Sequence, residues 1–307
     1  MDKNAYLCSP ILKYLLFRMK EFYYKVAGHV FVLQAEEQDN IVCDLGQYEP
    51  FRTDRTEDVK FRLKVVARSL ADASFHEEMR QQDEGQEIVA GRLSSGAPYF
   101  EFWLGSKRSS VLVTNSDYIE GEVGIEHFAS FGLNNAIMVL YALATANSRT
   151  ALFHSSVVSY QGRGYMFLGT SGTGKSTHSS LWLKHIEGTE LVNDDNPVVR
   201  IDENNEVRVY GSPWSGKTPC YRNVSYPLGA LVKLEQAKVN EISRLKGVRA
   251  YAVVVASISG KRWDKNVAEG LHETENLLAQ LVPTWHLKCL PDEAAARLSC
   301  KTCAHER

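Results

Sequence analysis

Gly169-Thr170-Ser171-Gly172-Thr173-Gly174-Lys175-Ser176 fits the pattern G-x-x-x-x-G-K-[ST] with no mismatch, and Thr177 follows it. Tyr165-Met166-Phe167-Leu168, immediately upstream, reads as a strand, and Lys175 to about His185 reads as a helix. In a strand–glycine loop–helix unit the backbone N–H groups curl around a polyphosphate, and the helix N-terminus adds about half a positive charge. Lys175 is expected to reach the terminal phosphates and the Ser176 hydroxyl to bind Mg²⁺. The alternative is a chance glycine-rich turn, against which the flanks argue. Residues 169–177 are therefore the expected nucleotide-binding loop.

Upstream, Ser156-Val157-Val158-Ser159-Tyr160 reads as a second strand, joined to the first by a hairpin turn across Gln161-Gly162-Arg163-Gly164. Downstream, Leu191-Val192-Asn193-Asp194-Asp195 sets two carboxylates behind an apolar pair, about twenty residues after Lys175. One carboxylate can hold the metal, while the other, beside the terminal phosphate, can accept a proton from an attacking hydroxyl. A solvated Asp-Asp-Asn turn before Pro197 is the other reading.

The run from His154 through Ser176, with its histidine, strand, hairpin and phosphate loop, resembles the HPr kinase/phosphorylase and phosphoenolpyruvate carboxykinase superfamily. Leu191 to Asp195 is similar to the acidic motif of that group, and the likeness covers about residues 150 to 300. It implies a P-loop kinase domain of this type, using ATP and Mg²⁺. On that resemblance Asp194 is the base that activates an acceptor hydroxyl, His154 positions or tunes Asp194, and Asp195 with Ser176 holds Mg²⁺, with Asp194 close to the metal. Where HPr kinases carry a glutamate- and glycine-containing signature, this chain reads Val209-Tyr-Gly211-Ser-Pro-Trp214-Ser-Gly216-Lys217-Thr-Pro-Cys-Tyr-Arg222. The acceptor is therefore left open: a serine of a protein or peptide, or a small molecule such as free serine. GTP or pyrophosphate as donor and a homo-oligomer stay open too.

The Gly211 to Arg222 stretch must be a turn-rich loop, because two prolines and two glycines break regular structure. Lys217 and Arg222 are candidate catalytic cations for the transferring phosphoryl group, and Trp214 is either a loop platform or an anchor in the core. Arg262 and Lys265 form a second basic loop, read either as a cover for nucleotide or as a solvated helix start. Cys300-Lys-Thr-Cys303, with His305 behind and Cys289 upstream, has the spacing of half a zinc site; a loose tail with incidental thiols is the alternative.

Further out, residues 1–127 read as a β-rich N-terminal domain, and residues 128–307 as a mixed α/β domain carrying the phosphate loop. Strands are expected at Tyr23–Val26, His29–Leu33, Phe61–Val65, Tyr99–Trp103 and Ser110–Val113, with a charged helix or exposed loop between Asp54 and Gly91. Leu133, Ala136, Ile137, Leu140, Tyr141 and Ala144 mark one face of a helix over 132–146. Val207–Tyr210, Gly229–Leu234 and Tyr251–Val255 read as strands, Asp264 to Leu281 as a helix, and Asp292 to Leu298 as a short final helix.

The 307 residues carry 35 Lys+Arg against 37 Asp+Glu, a net charge of −2, which disfavours nucleic acid or an anionic membrane as partner. Lys13, Arg18 and Lys20 interrupt the apolar opening segment, which is not expected to be a secretory signal. No run approaches the ~18 uninterrupted apolar residues of a membrane crossing. Six scattered cysteines fit reduced thiols, so a cytoplasmic protein is expected. Three functions remain in view: a kinase, a small carboxykinase-like lyase acting on oxaloacetate, and a nucleotide-binding sensor without turnover.

Overall fold

The computed structural model of the protein describes residues 19–36, 42, 45–70, 74–83, 85–216 and 218–305. The opening segment to Arg18, Cys8, Cys43 and Lys217 lie outside them.

Eight strands build the first sheet: β1 (Met19–Val26), β2 (His29–Glu36), β3 (Phe61–Val66), β4 (Phe75–Asp83), β5 (Gln86–Leu93), β6 (Pro98–Leu104), β7 (Lys107–Thr114) and β8 (Glu120–Ile125). Their spatial order is β1-β2-β3-β8-β7-β6-β5-β4. Pairing is antiparallel except where β3 lies parallel to β2 and to β8. Ala27 and Gly28 both take positive φ (47° and 81°), the two-residue turn whose twist matches a hairpin, so β1 and β2 pair from Val26↔His29 outward.

The stretch expected to be a charged helix or loop is instead largely strand, with β4 and β5 forming a hairpin at the sheet edge. As the edge strand β4 is mostly exposed on both faces, so its sequence FHEEMRQQD lacks alternation and its charges pair within the hairpin, Arg80 with Glu77 and Glu87. Such charges also guard an edge against further pairing.

Helix α1 (Ala129–Thr145) lays Leu133, Ala136, Ile137 and Leu140 on the first sheet. Ala129–Ser148 is long and apolar enough to cross a membrane by length and composition, unlike the sequence expectation; half of it is buried in the fold, where a core helix needs the same composition.

The second sheet comprises β9 (Thr150–Leu152), β10 (Ser155–Tyr160), β11 (Arg163–Leu168), β12 (Glu190–Asp195), β13 (Val198–Ile201), β14 (Val207–Tyr210), β15 (Ser225–Gln236), β16 (Glu241–Leu245) and β17 (Thr284–Cys289). Its path is β12-β10-β11-β15-β14-β13-β9, with β17 beside β15 and β16 beside β17. Gln161 and Gly162 repeat the positive-φ turn (48° and 73°) and close the expected β10–β11 hairpin.

Both faces of the central strands β11 and β15 are covered, so they carry continuous apolar runs, whereas β16 at the edge is largely exposed. Met166, Leu168 and Leu231 face the large core shared with the first sheet and α1. Tyr165, Phe167, Ala230 and Val232 face a second core, closed by Trp182 of α2 (Lys175–His185) and by Ala296, Cys300 and Cys303 of α5 (Glu293–His305). The last helix is thus longer than expected, and its cysteines are not in a loose tail: three residues apart, they point inward on one face. Among the described residues no group of three or more His, Cys, Asp or Glu could hold a metal ion.

Tyr251–Val255, expected as a strand, belongs to α3 (Val248–Ser257), which packs on α4 (Lys265–Leu281). A short apolar run has no periodicity to separate a buried strand from a buried helix, and here the helix buries Ala250, Val253 and Val254.

His29 of β2 is buried and bonds Thr150 Oγ1 of β9 at 2.8 Å, tying the two sheets. Burial, aided by Arg200 and Lys60, pulls its pKa down to about 3. The folded state therefore resists a proton that the unfolded chain takes up near pH 6.5. The stability is present above pH 6.5 and is lost as pH falls from there towards 3. His29→Gln is expected to narrow the difference between urea midpoints at pH 7.5 and pH 5; an unchanged difference would show that His29 does not carry this dependence.

Candidate functional site

One register brings the site together. In β10, Ser155 stands opposite Leu168 of β11 on one side and opposite Asp195 of β12 on the other. With strands about 4.8 Å apart, the start of β10, the end of β11 and the end of β12 share one edge. His154, the residue before β10, thus stands between the phosphate loop and the acidic pair. A bulge sits in this ladder: Val157 opposes Asn193 but Val158 opposes Leu191, so β12 carries one extra residue next to the site.

The loop from Gly169 to Gly174 has the conformation its glycines permit, with positive φ at Gly169 (155°), Gly172 (77°) and Gly174 (101°). A side chain at Gly172 or Gly174 would meet nothing within 4 Å, so the loop faces open space. Thr173 closes it by donating to Thr170 O at 2.7 Å. The first turn of α2 closes when His178 N donates to Gly174 O at 2.9 Å, leaving the N–H groups of Lys175, Ser176 and Thr177 at the helix end.

Lys175 Nζ donates to Gly169 O at 3.0 Å and Thr170 O at 3.3 Å, and lies 2.9 Å from His154 Nε2. Burial lowers its pKa, against the opposing pull of Asp195, Asp194 and Asp83. The other ring nitrogen of His154, Nδ1, is 3.0 Å from Asp195 Oδ1, forming a chain Lys175–His154–Asp195. Ser176 Oγ donates to Asp194 Oδ1 at 2.9 Å. The structure therefore pairs Ser176 with Asp194 and His154 with Asp195, the reverse of the sequence expectation. Two adjacent residues of one strand point to opposite faces, and strand parity decides which carboxylate meets which partner. Asp194 is 6% exposed, whereas the Asp195 side chain is 34% exposed and open to an incoming molecule.

These donors suit Mg²⁺. Ser176 Oγ and Asp194 Oδ1 are two adjacent oxygen donors of the hard kind this ion takes.

In the 211–222 loop Trp214 takes the second of its two expected roles, while Arg222 does not take its expected one. Trp214 is 1% exposed and pinned in the core, its Nε1 donating to Tyr48 Oη at 2.9 Å. Arg222 is not brought to the phosphate loop: it bonds Leu191 O at 2.6 Å and Glu190 at 2.7 Å, at the opposite end of β12 from the acidic pair. Lys217, the other expected cation, is outside the described residues. Arg262 is also committed, to Glu275 at 2.7 Å and to Val255 O, while Lys265 is a solvated residue of the first turn of α4.

Sequence reasoning missed the residues that hold the acidic pair. Gly216 N donates to Asp194 O at 2.7 Å, and Ser215 Oγ to the same oxygen at 3.2 Å. Asn196 Nδ2 donates to Asp195 Oδ2 at 2.7 Å, and Asn193 Nδ2 to Trp214 O at 3.1 Å. The two asparagines flanking Asp-Asp were the available signal, since Asn is a turn-building residue with both donors and acceptors.

No protein-family model matches the chain, and no curated protein matches it. Among solved structures it is similar to the Hpr(Ser) kinase/phosphatase from Coxiella burnetii, with a TM-score of 0.30 at 10% identity, over 50% of this chain and 95% of that one. The likeness is remote.

Gly211 anchors the start of the loop: a Cβ there would lie 2.0 Å from Arg222 O, a backbone atom. Gly211→Ala is expected to destabilise the fold by about 1–3 kcal/mol, the usual cost of overpacking. Gly46→Ala, where a Cβ meets nothing within 4 Å, is the control for thermal unfolding. Equal transitions for the two variants would show that the loop tolerates displacement.

Proposed function

We propose that this chain is a Mg²⁺-dependent kinase that moves the γ-phosphoryl group of ATP to a hydroxyl of a protein, a peptide or a small molecule. The observation that carries the reading is the contact of Ser176 Oγ with Asp194 Oδ1, 2.9 Å, at the mouth of an open glycine loop. Beside it the Lys175–His154–Asp195 chain supplies a cation and a carboxylate.

The nucleotide phosphates lie along the N–H groups of the loop and of the α2 N-terminus. Ser176 and Asp194 hold Mg²⁺, which when bound neutralises charge on the phosphates. Lys175 exchanges its carbonyl partners and His154 for phosphate oxygens and serves as the cation for the transferred group. Asp195 accepts the proton of the acceptor hydroxyl, with His154 Nδ1 holding one of its oxygens and Asn196 the other. Positioning and charge neutralisation carry most of the barrier reduction in such transfers, so the protein needs little covalent chemistry. The acceptor enters from the exposed side of Asp195, and residues 1–127 are taken as the module that helps select it.

The test uses terminally labelled ATP and Mg²⁺ with the purified chain in clarified cytosol, separated afterwards into protein and small-molecule fractions. Label is expected in one of the two, and it is expected to vanish with Asp195→Asn while nucleotide binding persists. Asp194→Asn is expected to abolish the gain in nucleotide affinity that Mg²⁺ brings, and Lys175→Ala to impair both binding and transfer. A fully active Asp195→Asn with an inactive Asp194→Asn that still binds Mg²⁺-nucleotide would restore Asp194 as the base. Tight binding with no label in either fraction would overturn the kinase in favour of a sensor, and carbon dioxide released from oxaloacetate would favour a lyase.

A further inference from the structure

Asp195 has φ of +143°, a backbone conformation that a residue with a Cβ rarely adopts. Such strain persists only where the surroundings over-determine it. The surroundings here are the 212–216 loop. Ser215 pairs with Asp195 as an isolated antiparallel bridge, and Gly216 N donates to the carbonyl just before Asp195 at 2.7 Å. A Cβ on Gly216 would stand 3.1 Å from Asp195 Cβ, so a side chain there would push the two backbones apart by a few tenths of an ångström. On the other flank, Ser212 Oγ donates to Asn196 O at 2.6 Å.

The loop is bonded to the end of β12 through Asn193 and Asp194 and to Asn196 just beyond it, and its buried anchor to the rest of the fold is Trp214. Trp214 sits between Ser212 and Ser215, and its Nε1 donates to Tyr48 Oη, which donates in turn to Asn134 Oδ1 at 3.0 Å. Its ring packs edge-on to Tyr48 with centroids 6.4 Å apart and against Tyr141 of α1 at 5.0 Å. Tyr48 and Tyr141 are fully buried, and Tyr48 lies in the 3-10 turn Gly46–Phe51, which packs against β1. Thus the carboxylate pair at the end of β12 is braced, through the Trp214 indole and alongside Asn223 Nδ2, which donates to Pro50 O at 2.9 Å, against the body of the first sheet and its covering helix.

We infer that Trp214 is a positioning residue: it transmits the placement of the first-sheet module to Asp194 and Asp195, so that the Tyr48–Trp214 contact and Mg²⁺-nucleotide binding are thermodynamically coupled. The coupling to nucleotide rests on the kinase reading above; the mechanical tie between Tyr48 and the acidic pair does not. A bond broken at Tyr48 would let the loop relax and Asp195 leave its strained conformation, moving Asp194 Oδ1 away from Ser176 Oγ. By linkage, ligand bound between Ser176 and Asp194 must in turn tighten the Tyr48–Trp214 contact.

Two measurements on the full chain decide it, using Tyr48→Phe, which deletes only the hydroxyl, and Trp214→Phe, which keeps an aromatic ring. In calorimetric titrations with ADP, each variant is expected to lose roughly 5-fold or more of the affinity gained on adding Mg²⁺, at the low end of ordinary coupling, with metal-free ADP affinity unchanged. A residue that is merely structural would lower the thermal midpoint and leave that gain intact, which would overturn the inference. The second measurement is a stability cycle of Tyr48→Phe against Asp195→Asn. Their effects on the unfolding equilibrium are expected to be non-multiplicative, whereas independent effects would overturn the tie. If the wild-type chain binds no Mg²⁺-nucleotide, the kinase reading fails, and the cycle alone decides whether Trp214 braces the acidic pair.

Discussion

The alignment of β10 between β11 and β12 is the constraint on which the site depends. Ser155 has two cross-strand neighbours, Leu168 and Asp195, and each begins or ends a functional segment. Ladder hydrogen bonds hold that alignment, and burial of both faces enforces it. A one-residue slip would turn Val157 and Met166 out of the large core and carry Val158 and Phe167 out of the second one. The same slip would separate His154 from Lys175 and Asp195. Packing of apolar side chains far from the loop thus sets distances of about 3 Å between polar groups at its edge.

The polar groups at that edge are held in unequal environments, which is the basis for the different roles proposed for them. Asp194 is buried and bonded by Ser176, while its carbonyl is fixed from behind by Gly216 and Ser215. Asp195 is half-exposed and carries its own pair of partners, His154 and Asn196. A metal ligand needs rigidity, and a base needs access. Lys175 is partly desolvated, which strengthens its interactions with any anion that replaces its present carbonyl partners.

Much of this was legible in the chain. The glycine loop, the strand before it and the helix after it follow from the glycine spacing of the phosphate-loop pattern and the apolar run Tyr165–Leu168. The β10–β11 hairpin follows from the turn signal Gln161-Gly162-Arg163-Gly164, where Gly162 takes positive φ without steric cost. The errors lie where local pattern and tertiary burial disagree. Edge strand β4 shows no alternation because neither face is well buried, and α3 resembled a strand because a short run of Ala and Val is compatible with either period. Arg222 was expected as a cation for the transferring phosphoryl group, yet the fold places it at the far end of β12, on Glu190 and Leu191 O.

By itself the sequence determined that a glycine loop of the phosphate-binding pattern, a histidine and two carboxylates exist at spacings a single sheet can gather, since glycine, lysine and serine at fixed offsets act through local backbone geometry. Only the tertiary structure decided which carboxylate meets Ser176, which cation stays near the loop, and that Trp214 braces the pair against the first sheet. Those outcomes depend on strand parity, on a one-residue bulge in β12 and on burial between elements more than 160 residues apart, such as Tyr48 and Trp214. No local pattern encodes them, because each is settled by which surfaces exclude water together.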